Sequence, residues 1–257
     1  MRILTYNIHD GVGLDRSFRL DRIADLIRAT GADLVGLQEV PRYIRRAKDV
    51  DTIRGLAETT GLYGVYGPSY TLRDAGPTES ARGLDWPQFG NGLLSRYPVR
   101  WSEVHPLPYF ESPGSYLERR SMLEASIAAP EGNFTIYVTH FGLDPSERLQ
   151  QALALSRRVG DAVGPVVVVG DLNAEPDSAP IQWLNRQLGQ LKADVGALFT
   201  FPADLPDRQL DYIYVRGFEQ TAPLDLVTTD ASDHLPVLAD VRWQTSSGTD
   251  HPKEQIP

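Results

Sequence analysis

Four consecutive valines lead directly into polar residues in the segment VVVVGDLNAEPDS, residues 166–178. A run this apolar predicts a buried strand. The strand delivers Asp171 at its far end, and Asn173 follows two positions later, where side chains of an extended chain share a face. An unpaired carboxylate at the rim of a core is costly or shifts its pKa. Asp171 therefore needs either a bonding partner or a chemical role.

The first forty residues predict a strand, a helix and a second strand. RILTYNI (2–8) has the composition of a strand, and DLVGLQEV (33–40) forms the second. Between them, residues 20–31 place four apolar side chains on one helical stripe: Leu20, Ile23, Ala24 and Ile27. Strands joined by a helix can lie parallel with their carboxyl ends on the same side. Those ends carry Asn7 and Glu39.

The remaining chain predicts further short elements within one domain, residues 1–244. Strands are expected at 91–99, 121–128, 134–140, 210–215 and 236–243, and a helix at 146–159. Another helix is expected from about Ser178, whose hydroxyl can cap it. Residues 61–90 are rich in glycine, proline and tyrosine and predict mostly loop. Residues 245–257 predict a flexible polar tail.

Composition narrows the possible functions. The net charge of -9 and the pI near 5.0 give a field that repels polyanions, which argues against a long, non-specific duplex footprint. The absence of cysteine removes disulfides, thiolate metal sites and cysteine nucleophiles, and it fits a reducing compartment. No stretch approaches the roughly 18 continuous apolar residues of a transmembrane segment. We expect a soluble, cytoplasmic protein.

Polar residues recur at the ends of the predicted strands, and we expect them to converge. In layered α/β proteins, ligands collect where the carboxyl ends of strands meet. The carboxylates among these residues suit a hard cation such as Mg²⁺ or Mn²⁺ better than zinc. Two histidines with carboxylates to orient them suit phosphoester hydrolysis. The set is Asn7, Glu39, His140, Asp171, Asn173, Asp211, Asp233 and His234.

Several segments resemble, in the same order, those of the endonuclease/exonuclease/phosphatase superfamily, which includes pancreatic deoxyribonuclease and the neutral sphingomyelinases. The pair GDLNAEPDS and SDHLPV is specific, and the match spans roughly residues 2–243. The other segments are TYNIHDG, LQEV, NGLLSRYPV, VTHFGLD and LDYIYV.

The resemblance implies an α/β (α+β) fold, a four-layer sandwich of two packed, mixed, mainly antiparallel β-sheets flanked by helices. Local patterning alone would suggest a parallel sheet. The resemblance also implies Mg²⁺- or Mn²⁺-dependent phosphodiester hydrolysis by in-line attack of water.

Carried over position by position, the resemblance implies a role for each candidate residue. Glu39 would be the main metal ligand, with Asn7 beside it and Asp233 in the metal region. Arg120 would point at the phosphate, with Arg119 as a near alternative.

The resemblance also implies the catalytic residues. Asp171 and Asn173 would orient the attacking water, and Asn173 and His140 would hold a phosphate oxygen. Asp211 would fix the tautomer of His234. Members of the superfamily differ over which group is the base, so Asp171 and His234 share that role here.

The substrate stays open among nucleic acid, phospholipid and inositol phosphate, and the oligomeric state is not predicted. Specificity would lie in loops 61–90 and 105–119. The basic segment 41–55 is either a solvated face or a contact to a polyanionic substrate through Arg42, Arg45 and Arg46. A non-catalytic module that binds a phosphate ligand or a protein on the same fold is the alternative function.

Overall fold

The computed structural model describes residues 1–72, 86–110, 118–189 and 198–244, and the backbone of 78–80 and 83–85. The predicted tail, 245–257, lies outside the described residues. The helices are α1 (Leu20–Thr30), α2 (Thr52–Thr60), α3 (Pro145–Asp161) and α4 (Ala179–Leu188). The strands are β1 (Arg2–Asn7), β2 (Leu34–Arg42), β3 (Tyr63–Thr71), β4 (Thr78–Ser80), β5 (Gly83–Asp85), β6 (Gln88–Ser95), β7 (Val99–Pro106), β8 (Ser121–Ala129), β9 (Gly132–His140), β10 (Val166–Asp171), β11 (Asp211–Arg216), β12 (Phe218–Gln220), β13 (Asp225–Leu226) and β14 (Val237–Trp243).

The strands form two large sheets and one small hairpin. The larger sheet has the order β12-β14-β1-β2-β6-β3, with β13 paired to β14, and the smaller sheet has the order β11-β10-β9-β8-β7. Within the described chain, β1 with β2 and β9 with β10 pair in parallel, and the other pairings are antiparallel. The predicted parallel arrangement of the first two strands is confirmed. The sheets as a whole are mixed and mainly antiparallel, as the resemblance implied.

The valine strand β10 explains why its sequence is apolar without interruption. Val167 and Val169 face the larger sheet in the core between the sheets, whereas Val166 and Val168 face α3 and α4. Because side chains of a strand alternate between faces, a strand covered on both sides needs apolar residues at every position. Fully burying a side chain of this type contributes about 1.5–3 kcal/mol.

Helices cover the outer face of each sheet. The stripe predicted on α1 is confirmed, since Ile23, Ala24 and Ile27 pack with α2 against the outer faces of β1 and β2. On the smaller sheet, α3 and α4 bury Leu155 and Ile181 against the outer faces of β9, β10 and β11. The layers are therefore helix, sheet, sheet and helix, and the predicted four-layer sandwich is confirmed.

Three local predictions are wrong. The strand expected at 91–99 ends at Ser95, and Val99 begins the separate strand β7. Residues 61–90 were expected to be mostly loop, but Tyr63–Thr71 is a nine-residue strand paired with β6. Ser178 precedes α4 without capping it through its side chain, because its hydroxyl donates to the carbonyl oxygen of Glu175 at 2.5 Å. Within the described residues, no helix has both the length and the apolar character needed to cross a membrane.

Candidate active site

The candidate side chains extend the rows of residues that face the space between the sheets. On β10 this row is Val167, Val169 and Asp171, so alternation carries the carboxylate to the edge of the inter-sheet core. The corresponding rows end in Asn7 on β1, His140 on β9 and Asp211 on β11. Polar side chains from both sheets therefore meet at one edge of the sandwich.

Strand register places three of these residues side by side. Asp171 pairs with His140 on the parallel strand β9 and with Asp211 on the antiparallel strand β11. From the other sheet, Asn7 Nδ2 donates to Asp171 Oδ2 at 2.9 Å. This hydrogen bond connects the two sheets at the candidate site.

Glu39 reaches the same point through a distortion of β2. Its neighbour Gln38 is buried and lies near Thr5 between the sheets, so regular alternation would turn Glu39 to the outer face. A register shift between Leu37 and Val40, with Glu39 at a φ of 54°, changes its direction. As a result, Asn7 Nδ2 donates to Glu39 Oε1 at 3.2 Å.

The segment before β14 brings the last two candidates to the site. Ser232 Oγ donates to the carbonyl oxygen of Asn7 at 2.7 Å and accepts from the backbone N–H of His234 at 3.2 Å. Ser232 therefore fastens this segment to the end of β1. Asp233 then lines the pocket, with its Oδ1 3.7 Å from His9 Nδ1.

His234 lies between two carboxylates. Its Nδ1 donates to Asp211 Oδ2 at 2.9 Å, and its Nε2 lies 3.7 Å from Asp171 Oδ2. Burial alone would lower the pKa of His234, but the charges of Asp211 and Asp171 outweigh burial and raise it to about 10. The two carboxylates therefore favour the protonated ring, which presents an N–H on each side.

His140 has the opposite protonation state. Arg120 Nη1 lies 3.0 Å from His140 Nδ1, and a guanidinium can only donate, so Nδ1 accepts and the ring proton is on Nε2. Burial first, and then the charges of Arg120 and His234, hold the pKa of His140 well below its ordinary value. Asn173 Nδ2 lies 2.9 Å from Nε2 and donates one of its hydrogens to the carbonyl oxygen of Phe141 at 3.0 Å. With the ring proton on Nε2, the two facing N–H groups repel each other unless an acceptor receives both, so they suit an anionic oxygen.

The structure separates the two arginines that the sequence left as alternatives. Arg120 is buried, lines the pocket and also pairs with Glu118 at 3.1 Å. Arg119 is exposed, and its guanidinium lies 4.4 Å from the centre of the Tyr109 ring. Arg120 is therefore the arginine at the site, where it contacts His140.

The carboxylates at the site have the properties of a cation site. Burial, together with the charges of Asp171 and Asp233, raises the pKa of Glu39 to about 7. Burial and the charge of Asp211 raise the pKa of Asp171 to about 6. Both acids would ionise more readily beside a divalent cation, and oxygen donors suit Mg²⁺ or Mn²⁺. Ligand atoms of Asp171, Asp211 and His234 also lie within 4.8 Å of one another.

A pocket of about 480 Å³ opens above these residues. Several residues that line it belong to segments without a motif and were not candidates: Glu118, Glu147, Phe201 and Arg208. Gly142, Leu143 and Leu210 also line it and lie in the VTHFGLD and LDYIYV segments, which could have identified them. Ser232 was not a candidate either, although it is part of the SDH motif.

Part of the basic segment after β2 stabilises the fold. Arg42 pairs with Asp51 at 2.9 Å, and its guanidinium lies about 5 Å from the rings of Tyr43 and Tyr66. Asp51 in turn caps α2 by accepting from the backbone N–H of Arg54. Packing therefore accounts for Arg42, and Arg45 is exposed outside the pocket, whereas the side chain of Arg46 lies outside the described part of the chain.

Comparisons with known proteins agree with this architecture. The chain is 29% identical over 266 residues to the protein YbhP of Escherichia coli (strain K12), covering 93% of this chain and 95% of YbhP. An endonuclease/exonuclease/phosphatase structure from Beutenbergia cavernae matches with a TM-score of 0.78 and 29% identity, over 95% of this chain and 71% of that one.

A more distant match concerns the fold alone. The mannosyl-6-phosphatase of Bacteroides thetaiotaomicron has a TM-score of 0.70 and 15% identity, with 95% of this chain and all of that chain covered.

The model of the endonuclease/exonuclease/phosphatase family matches residues 4–234. This range contains every candidate residue of the site, and the chain belongs to the endonuclease/exonuclease/phosphatase family.

Proposed function

We propose that the protein is a Mg²⁺- or Mn²⁺-dependent phosphoesterase that hydrolyses phosphodiesters by in-line attack of water. The observation that carries the proposal is the convergence of two buried imidazoles on one carboxylate, that of Asp171. Its Oδ2 lies 3.5 Å from His140 Nε2 and 3.7 Å from His234 Nε2. A structural core gains nothing from such an arrangement, whereas phosphoester hydrolysis uses each part.

Glu39 and Asp233 would hold the cation, with Asn7 orienting Glu39. Burial and the neighbouring carboxylates raise the pKa of Glu39 despite the opposing effects of Asn7 and Arg120, and a divalent cation would supply further compensating charge. When bound, the cation would neutralise charge on the phosphoryl oxygens. We assign Asp211 and His234 to proton and charge positioning rather than to metal binding, because Nδ1 of His234 is already engaged by Asp211.

Asp171 is the group that accepts a proton from the attacking water. Its raised pKa of about 6 leaves it ionised at neutral pH and still basic enough to act. His234 has no free nitrogen lone pair while it is protonated, so it serves as a hydrogen-bond donor and stabilises negative charge. Asn173 fixes Asp171 by donating its backbone N–H to Oδ1 at 2.9 Å.

His140 and Asn173 provide donors where charge develops on the phosphate. Arg120 holds His140 in the tautomer whose Nε2 carries the proton, so the neutral imidazole can donate but cannot act as a base. Preorganised donors of this kind cost no reorganisation during the reaction. The substrate stays open among nucleic acid, phospholipid and inositol phosphate; the first two carry a phosphodiester, whereas cleavage of an inositol phosphate would be monoester hydrolysis. A cytoplasmic location stays part of the proposal.

The test is a panel of substrates, each with Mg²⁺, Mn²⁺ and chelator. It contains an aryl phosphodiester, an aryl phosphomonoester, single- and double-stranded DNA, RNA, sphingomyelin and inositol phosphates. We expect hydrolysis of at least one diester that chelator abolishes and either cation restores. Hydrolysis of monoesters alone would refute the diesterase assignment.

A matched pair of variants tests the metal assignment. Glu39→Gln should weaken Mn²⁺ binding in calorimetry and abolish hydrolysis. Glu219→Gln removes an exposed acid that pairs with Arg242 outside the pocket, and it should change neither. A non-catalytic phosphate-binding module would instead bind phosphate ligands without hydrolysing any substrate of the panel.

A further inference from the structure

Phe201 and Arg208 form a wall of the pocket, and the proposed reaction does not use them. Phe201 is half-buried, and the centre of its ring lies 4.7 Å from the centre of the His234 imidazole. The guanidinium carbon of Arg208 lies 4.6 Å from the Phe201 ring centre. The guanidinium therefore lies within about 9 Å of the centre of the His234 ring.

The backbone holds this wall in place. Phe201 and Arg208 form an antiparallel bridge in which each backbone N–H donates to the other residue's carbonyl oxygen, at 3.1 and 3.0 Å. The Leu235 N–H donates to the Thr200 carbonyl oxygen at 2.7 Å, and the Ala203 N–H donates to the Asp233 carbonyl oxygen at 2.7 Å. These bonds fix the wall to both sides of His234.

Arg208 keeps donors available at the pocket. Of the described residues that line it, Arg120 and Arg208 are the arginines, and Arg120 is engaged by Glu118 and His140. The acceptor of Arg208 among the described residues is Asp207, 3.4 Å from Nε. Its terminal Nη1 and Nη2 groups therefore have no protein acceptor there. The Phe201 ring supports the guanidinium while its N–H edge remains exposed.

The negative charge around Arg208 makes its guanidinium important for substrate selection. Five carboxylates line the same pocket and repel anionic parts of a substrate: Glu39, Glu118, Glu147, Asp171 and Asp233. A guanidinium with free terminal nitrogens binds a phosphate through two parallel hydrogen bonds. A second phosphate on the substrate is therefore favoured near Arg208 and disfavoured beside the carboxylates.

We propose that Arg208, supported by Phe201, is a specificity-determining residue that selects substrates with a second phosphate group close to the scissile one. This inference rests on the proposed function for the position of the scissile phosphate. A nucleotide and an inositol phosphate can both supply the second phosphate, and the shared chemistry is a bisphosphorylated substrate.

Binding without turnover tests the proposal. Calorimetry in Ca²⁺ would compare thymidine 5′-monophosphate with thymidine 3′,5′-bisphosphate, and inositol 1-phosphate with inositol 1,4-bisphosphate. We expect the parent protein to prefer the bisphosphate by about tenfold or more on at least one scaffold, as for one charge-assisted pair. The scaffold with the larger preference identifies the source of the second phosphate.

Three variants distinguish a specific contact from general charge. Arg208→Gln should reduce the preference to about twofold or less, and Arg208→Lys should give an intermediate value because an ammonium cannot bind phosphate as a planar fork. Arg186→Gln is the matched control, since Arg186 is an exposed arginine 5.9 Å from the Trp183 ring outside the pocket. It should keep the parental preference.

Three results would overturn the proposal: a parental preference near one on both scaffolds, no detectable binding of any of the four ligands, or a preference that survives Arg208→Gln. Thermal melts of each variant exclude loss of fold. Failure of the proposed function would look different, because it would appear as absence of metal-dependent hydrolysis across the substrate panel.

Discussion

Replacing Asp171 with asparagine should abolish activity and at the same time stabilise the metal-free protein. The carboxylate is buried at the junction of the two sheets, where burial and the charge of Asp211 raise its pKa to about 6. His234 and Asn7 counteract part of this rise. The ionised carboxylate is therefore a net cost to the fold at neutral pH in the absence of a cation.

The size of this cost follows from the pKa. A rise from 3.8 to about 6 corresponds to about 3 kcal/mol. Because the pKa in the folded state lies above that in the unfolded state, the carboxyl contributes its stability below about pH 4 and loses it between about pH 4 and 6. Asparagine carries no charge, but if its amide nitrogen replaced Oδ2 it would face Nδ2 of Asn7, and two donors would then oppose each other. We therefore expect Asp171→Asn to gain about 1–3 kcal/mol in chelator at pH 7.

Activity should change in the opposite direction. Loss of the proton acceptor should lower kcat by at least ~10³, which corresponds to about 4 kcal/mol of transition-state stabilisation. Saturating Mg²⁺ should narrow or reverse the stability difference, because a cation held by Glu39 and Asp233 would stabilise the ionised Asp171 of the parent more than a neutral asparagine. Such a dependence on Mg²⁺ distinguishes a functional carboxylate from one that only destabilises the fold.

Urea unfolding between pH 4 and 8, in chelator and in Mg²⁺, measures the free energy of unfolding, and initial rates measure kcat. The control is Asp177→Asn, an exposed acid in the same loop region, whose stability should stay within about 0.5 kcal/mol of the parent. The reasoning is refuted if Asp171→Asn is less stable than the parent in chelator at pH 7, or if it keeps near-parental turnover.

Three further changes have defined outcomes. Asp211→Asn removes the main charge that raises the pKa of His234, so that pKa should fall and kcat should drop by about 10³ or more. Histidine NMR measures the pKa and pH–rate profiles measure kcat, and an unchanged profile would contradict the assignment. Arg120→Gln removes a charge that lowers the pKa of His140, so NMR should show a higher pKa and a mixture of ring tautomers. An unchanged pKa and tautomer of His140 would show that Arg120 does not position this ring. Gly36→Ala would place a Cβ 2.2 Å from a valine methyl of the facing sheet, so urea unfolding should show a loss of about 1–3 kcal/mol, and a parental midpoint would contradict close packing there.

Glycine shows why one strand escaped prediction from the sequence. In β3, a Cβ at Gly67 would lie 2.9 Å from the Cβ of Leu123 on the other sheet, and a Cβ at Gly64 would lie 2.9 Å from Ile53 of α2. Glycine is needed because neighbouring layers approach the backbone closely. In a sequence, the same residues indicate turns, so 61–90 was interpreted as loop.

Glu39 shows a second limit of prediction from the sequence. The LQEV motif and the end of a strand identified the residue as a candidate, but alternation places it on the face opposite Gln38. The bulge in β2 changes that direction, and a bulge depends on pairing with β6, a strand about fifty residues away in sequence. Arg208 is similar, because its position at the pocket depends on the backbone bridge to Phe201.

The sequence by itself determined the valine strand, the apolar stripe of α1, the parallel start of the chain and the residue types that gather at the strand ends. These features are local, since a period of two or of 3.6 residues fixes which side chains share a face. Tertiary structure decided which faces meet, and so which carboxylates share a pocket, which imidazole carries a charge and where an arginine keeps free donors. Those properties depend on burial and on charges from distant segments, which act only after the two sheets have packed together.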